Sequence, residues 1–213
     1  RSLNFLKDCG LWIVSDDVYT NGSKRCTLSW NLFCKRDSDE ELLYLPRVNY
    51  DEIEHDTENK VVKTQAEGKA NISLYNFSTA DTTMTNERVD VLRSSIPYSL
   101  DKVNNIFMNN GKSTHITLIY PRENKADELE NVREISGNDY IGIGARANGY
   151  DITYIAAKGD STSITIGDIS AVCKSIAVQE KDGVIKGMVT GCTEFIYSGS
   201  SRSINDSFEF CIN

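Results

Sequence analysis

Proline is scarce in this chain, with three residues among 213. Each proline removes a backbone donor and fixes φ, so their scarcity permits long, uninterrupted strand pairing. Histidine is scarcer still: His55 and His115 are the only two, which excludes a His-rich metal site. None of the six cysteines sits in a CxxC pair, so no zinc-ribbon or thioredoxin-type motif is encoded. Ser94-Ser95 and residues 161–163 lack the GxSxG context of a hydrolase nucleophile, and no cysteine has a base close in sequence. No apolar run approaches the ~18 residues of a membrane-crossing helix. Lys7 and Asp8 interrupt the N-terminal apolar residues, so no signal-peptide pattern is visible. Clustered Lys and Arg are missing too. A net charge of −8 argues against electrostatic attraction to nucleic acid or to an anionic membrane.

What the chain has is alternation. Cys26, Leu28, Trp30, Leu32 and Cys34 fall on one face of a two-residue period; Arg25, Thr27, Ser29, Asn31 and Phe33 fall on the other. That pattern marks a strand buried on one side. Comparable stretches are residues 71–77, 113–120, 151–157, 161–167, 171–179, 184–190, 192–197 and 207–212, separated by turn residues. Residues 2–14 and 24–35 read as two strands joined through residues 16–23, where Asn21-Gly22 is a hairpin signal. Residues 48–54 and 60–65 read as edge strands, 78–86 as a Thr-rich loop, and 87–97 as a strand ending at Pro97. Residues 99–109 carry Leu100, Val103, Ile106 and Phe107 at helical spacing and predict a short helix. The whole predicts a single all-β domain over residues 1–213: an antiparallel, supersandwich-like β-sandwich with at most one or two short helices.

Constellations of chemical interest are few. His115 alternates with Thr117 and Ile119, which places it on a sheet surface, and His55 lies in an acidic run that reads as a solvated loop. Gly142-Ile143-Gly144 has no helix after it and so lacks the geometry of a phosphate loop. Cys26 and Cys34 stand ~26 Å apart on a straight strand and cannot bond each other. The cysteines read mainly as small buried hydrophobes, with one or two disulfides left open. Four Asn-X-Ser sequons (Asn21, Asn71, Asn76 and Asn205) are of the kind that arises by chance in an Asn- and Ser-rich chain. Trp30 falls on the apolar face and reads as core. Trp12, near the first turn, and Arg88, Arg93 and Tyr98, in a segment of mixed polarity, are the candidate carbohydrate contacts. Flat rings and planar guanidinium groups suit sugars and their carboxylate or sulfate groups. No catalytic residue, metal site or cofactor is assigned.

Three stretches together resemble the C-terminal β-sandwich region of heparinase II/III-like polysaccharide lyases. They are RSLNFLKDCGLWIVSDDV followed by CTLSWNLF, then VLRSSIPY with THITLIYP, and finally DGVIKGMVTGCTEFIYSG. The resemblance implies a parent enzyme that cleaves uronic-acid polysaccharides by β-elimination. In that family a Tyr or His takes the C5 proton while Asn, Arg or His neutralises the carboxylate. Those groups come largely from an N-terminal helical toroid and earlier strands. Relatives often carry His after the strand Trp, where this chain has Asn31, and no catalytic residue is transferred. The expected partners are therefore the helical toroid of the parent chain and an acidic polysaccharide, in a secreted or periplasmic setting. The chain opens with Leu3 and Phe5 in strand-like sequence and without Met, which reads as the C-terminal part of a longer polypeptide. The alternative is a non-catalytic carbohydrate-binding or adhesion sandwich.

Overall fold

The computed structural model describes residues 1–32, 53–67, 70–93, 96–124, 127–198 and 200–212. The side chains of residues 88, 90–93, 96–100 and 200–205 lie outside that description. All regular structure among the described residues is strand, in two antiparallel sheets that divide the chain in sequence. The first sheet holds β1 (Ser2–Leu6), β2 (Leu11–Leu32), β3 (Ile53–Asp56), β4 (Val61–Thr64), β5 (Asn71–Ser78), β6 (Thr82–Arg93) and β7 (Ile96–Arg122). Its order is β1-β2-β7-β5-β4-β3, with β6 also pairing β7. The second holds β8 (Glu130–Ser136), β9 (Tyr140–Ala147), β10 (Tyr150–Ala157), β11 (Thr162–Ile166), β12 (Ile169–Cys173), β13 (Ser175–Lys181), β14 (Val184–Tyr197) and β15 (Ser200–Ile212). Here the order is β11-β12-β14-β13-β10-β9-β8, and β15 also pairs β14. The all-β sandwich read from alternation is the architecture observed.

Each sheet is apolar on both faces, because each folds over itself. Between the sheets lies a central core that includes Leu11, Ile13, Ile116 and Leu118 from the first and Ile143, Ile152, Tyr154 and Ala177 from the second. A second core, with Val62, Leu74, Met84 and Val103, belongs to the first sheet alone. A third, with Ile155, Ile164, Ile176, Val189 and Phe195, belongs to the second sheet alone. The device that folds the first sheet is visible in β7. Phe107 and His115 are eight residues apart on that strand, ~26 Å if it ran straight. Yet their ring centroids are 4.1 Å apart. The strand bends back between them at Gly111 (φ 88°), which pairs with Thr20 of β2 beside Gly22 (φ 73°). There Asn21–Ser23 face the single residue Asn110, a bulge that turns both strands together.

Several expectations are corrected by this geometry. Asn21-Gly22 makes a bulged corner rather than a hairpin; the first hairpin turns at residues 7–10, with Gly10 at φ 67°. Residues 99–109 form strand, not helix: Val103, Asn105 and Phe107 are buried, and polar Asn105 disguised the two-residue period. Strand pairing begins at Thr82, inside the stretch read as a loop. His115, expected on a sheet surface, is 5% exposed because the sheet folds over it. Residues 171–179 split at Lys174 into β12 and β13, while residues 184–190 and 192–197 join into β14 through a bulge at Gly191. Trp30 is half-buried, with the Arg1 guanidinium 5.8 Å from its ring centroid. Residues 48–52, Phe33 and Cys34 lie outside the described residues.

Gly142 and Gly144 lie within β9, far from any phosphate-loop geometry. A Cβ on Gly142 would collide with the Tyr154 carbonyl, and one on Gly144 would meet the Arg133 guanidinium. Asn71 and Asn76 are buried with their amides hydrogen-bonded inward, so neither sequon is accessible in the fold. Cys9, Cys173 and Cys192 are buried and Cys26 is half-buried, as the reading as small hydrophobes expects, whereas Cys211 is exposed and departs from it.

Candidate functional site

The hairpin at residues 7–10 sets Phe5 of β1 opposite Trp12 of β2. Their rings stack at 4.2 Å between centroids, 20° from parallel. Edge strand β1 presents Leu3 and Phe5, 59% and 45% exposed, on the face that carries Trp12. Such a flat apolar strip on a sheet edge is unusual unless something covers it. Next to the stacked pair opens a groove of about 1090 Å³, whose walls include Tyr120, Glu123, Asp127 and Asn148. Asn148 donates through Nδ2 to the Cys9 carbonyl at 3.2 Å, tying the β9–β10 turn to the first hairpin. Beneath them the Cys9 Sγ donates to Leu6 O and to Gln179 Oε1, both at 3.4 Å. The groove therefore rests on a floor that joins the two sheets.

Among the described residues, Glu123, Asp127, Glu128 and Glu130 line the groove together with the Arg122 guanidinium. Arg122 is 2% exposed and donates to the Thr64 carbonyl, so its charge is directed into the protein. Glu128 is held by Lys63 at 2.6 Å, which also joins a smaller groove of about 390 Å³ beside Tyr75 and Phe77.

Of the four sequence candidates, Trp12 stands in this groove. Arg88, Arg93 and Tyr98 belong to the β6–β7 hairpin, in register with Asp101, Ile96 and Val91, and their side chains lie outside the described residues. Phe5 was missed as a functional residue. Its signal was present, since Leu3 and Phe5 alternate ahead of a glycine that permits a tight turn back to Trp12.

Two other polar clusters have a chemical look. Ser113 and His115 share a 2.9 Å hydrogen bond through Oγ and Nε2, and Asp16 is in register with His115 across β2 and β7. Nucleophile, base and carboxylate are thus adjacent, yet all three are buried. Arg1 takes both Asp16 oxygens, donating from Nε at 2.6 Å and Nη2 at 2.9 Å. Burial lowers the His115 pKa from 6.5 to about 4, against the opposing pull of Asp16 and Asp17. A base that weak and that inaccessible is a poor proton acceptor near neutral pH. The second cluster is an inter-sheet clamp. Asp17 accepts from Lys174 Nζ at 2.6 Å and from Thr114 Oγ1 at 2.8 Å, with Lys112 Nζ 3.3 Å away. Both lysines also donate to the Gly159 carbonyl, at 2.9 and 3.0 Å. His55 Nε2 meets the fully buried Asp101 carboxylate at 2.8 Å, joining β3 to β7. Among the described residues no three His, Cys, Asp or Glu side chains are grouped to hold a metal.

No model of a known protein family matches the chain, and no curated protein matches it in sequence.

Proposed function

We propose that this chain is the C-terminal β-sandwich module of a heparinase II/III-like polysaccharide lyase. In this reading the module contacts an acidic polysaccharide and packs on a helical toroid of the parent chain, which carries the groups for β-elimination. One observation supports it above others. Two of the stretches that carry the resemblance, distant in sequence, are hydrogen-bonded neighbours: Trp12–Asp17 of β2 pair with Ile119–Thr114 of β7. The closing stretch forms β14 of the second sheet, where it pairs with β12, β13 and β15 and with neither of the other two. Ultraviolet absorbance of the unsaturated uronate product tests the reading, with uronate polymers offered to this chain and to its parent. Elimination by the parent and none by the isolated chain is expected. Turnover by the chain alone, or a parent without eliminase activity, refutes it. A second reading, a non-catalytic glycan-binding sandwich, draws on the stacked Phe5–Trp12 pair, and it expects saturable glycan binding with an inactive parent.

A further inference from the structure

We propose that the corner of the first sheet is a site of spontaneous covalent modification, at which water converts the Asn21 side chain to aspartate and isoaspartate. The chain holds three Asn-Gly pairs: Asn21-Gly22, Asn110-Gly111 and Asn148-Gly149. A glycine after asparagine has no Cβ to shield its backbone nitrogen, so that nitrogen can reach the side-chain amide. By that criterion the three pairs are alike; the fold separates them.

Asn21-Gly22 is held least. Thr20 pairs with Gly111 and Lys24 with Asn109, which leaves residues 21–23 without partners in the ladder. Both residues are exposed, and beyond the chain neighbours no heavy atom lies within 4 Å of where a Gly22 Cβ would stand. Asn110-Gly111 is intermediate. It is as exposed and as open, but Gly111 pairs with Thr20 and its carbonyl accepts from Asn109 Nδ2 at 3.0 Å. Asn148-Gly149 is held most. It is exposed too, yet it forms the two-residue turn between the paired Ala147 and Tyr150. Asn148 Nδ2 donates to the Cys9 carbonyl at 3.2 Å, and Lys181 Nζ donates to the Asn148 carbonyl at 3.2 Å. Lys181 Nζ also stands 3.3 Å from a Gly149 Cβ position. Ring closure there must break the contact that ties this turn to the first hairpin.

The step needs only water and base. Hydroxide takes the Gly22 amide proton, the nitrogen bonds to Asn21 Cγ, and the Cγ–Nδ2 bond breaks to release ammonia. Water then opens the cyclic imide. Cleavage of the new Cγ–N bond leaves aspartate. Cleavage of the original backbone C–N bond leaves isoaspartate, whose main chain runs through Cβ and Cγ. Either product adds a negative charge. Isoaspartate also adds a methylene to the main chain of a bulge that already sets three residues against one, which loosens the pairing on both sides of the corner.

The test incubates the whole chain at mildly alkaline pH, folded and in concentrated urea, and follows each pair by peptide mass spectrometry with fragmentation that distinguishes isoaspartate. In the folded chain Asn21 is expected to convert about five-fold faster than Asn148, with Asn110 between them; in urea, where local structure no longer governs access, the three rates should agree within about two-fold. A folded chain in which Asn148 converts as fast as Asn21 overturns the proposal. So does an Asn21 that stays intact in the folded chain while it converts in urea, or a ranking that persists in urea. The isoaspartate form, separated by chromatography, is then compared with Asn21→Asp, which carries the charge without the longer main chain. Amide exchange at residues 18–20 and 24–26 should be faster in the isoaspartate form, and equal exchange refutes the loosening. None of these outcomes depends on the lyase reading, which the parent's eliminase assay tests separately.

Discussion

Acidification should destabilise this protein well above the pH at which its carboxylates titrate, and His115 is the reason. The imidazole is 5% exposed, tilted against Phe107 with 4.1 Å between ring centroids, and hydrogen-bonded to Ser113. Burial lowers its pKa from 6.5 to about 4, although Asp16 and Asp17 pull the other way. At pH 7 the folded chain carries it neutral and the unfolded chain mostly neutral, so it contributes little pH dependence there. As pH falls through 6.5 the unfolded chain takes the proton and the folded chain does not. Stability is therefore lost progressively between 6.5 and about 4 and levels off below. At ~1.4 kcal/mol per tenfold change in proton affinity, the full loss is up to ~3 kcal/mol. That is a large part of the ~5–15 kcal/mol typical of a domain. Urea unfolding at a series of pH values across this window measures it, with His115→Gln as the reference. Gln keeps a polar partner for Ser113 but cannot charge, so its profile should be flatter between the two limits, whatever its absolute stability. Parallel profiles for the two proteins would refute the argument, as would a His115 resonance that titrates near 6.5 in the folded state.

Two further outcomes follow from packing. Gly142→Ala places a Cβ against the Tyr154 carbonyl and the Ile155 side chain, so backbone must move; a loss of ~1–3 kcal/mol in urea unfolding is expected, and an unchanged midpoint would contradict it. Burial pushes the Cys9 thiol up to about 11 and the Cys173 thiol up to about 12. Both should resist alkylation at mildly alkaline pH until the chain is unfolded, and mass spectrometry showing fast native labelling of Cys173 would refute that.

Strand content was legible wherever one face is apolar and the other polar. Residues 71–77, 151–157 and 24–32 alternate plainly and are strand. The errors share a cause, which is that a folded-over sheet buries polar residues. Asp101, Asn105, His115 and Thr117 all point into the fold of the first sheet, and each interrupts the apolar period that reveals a buried face. The segment around Asn105 therefore read as helix, and His115 as surface. Length misled as well. A strand of 27 residues exceeds the ~5–6 typical of globular proteins, and its sequence reads instead as a short helix at 99–109 and a separate strand at 113–120. Of the groove, Trp12 was legible as an aromatic near a turn. Its partner Phe5 was legible in the alternation with Leu3 ahead of Gly10 and was missed, whereas the carboxylate rim depends on tertiary packing, which local spacing does not set.

The bulge opposite Gly22 and Gly111 governs the site as well as the fold. By turning β2 and β7 back together, it lays their distal halves over the first sheet and buries Leu74 and Val62 there, with Ile119 half-buried. Arg1 marks how far that cover reaches toward the edge: its guanidinium grips Asp16 of the inner half while lying 5.8 Å from the Trp30 ring of the outer half. Leu3 and Phe5, on the edge strand beyond β2, remain exposed. The Phe5–Trp12 pair is thus the part of an apolar sheet face that the fold-over does not reach. A longer return of the outer layer would bury the pair in the core, and a shorter one would open the polar interior around His115 to water. The same two glycines, which tolerate φ values that side chains resist, consequently set both the depth of that interior and the extent of apolar face left exposed.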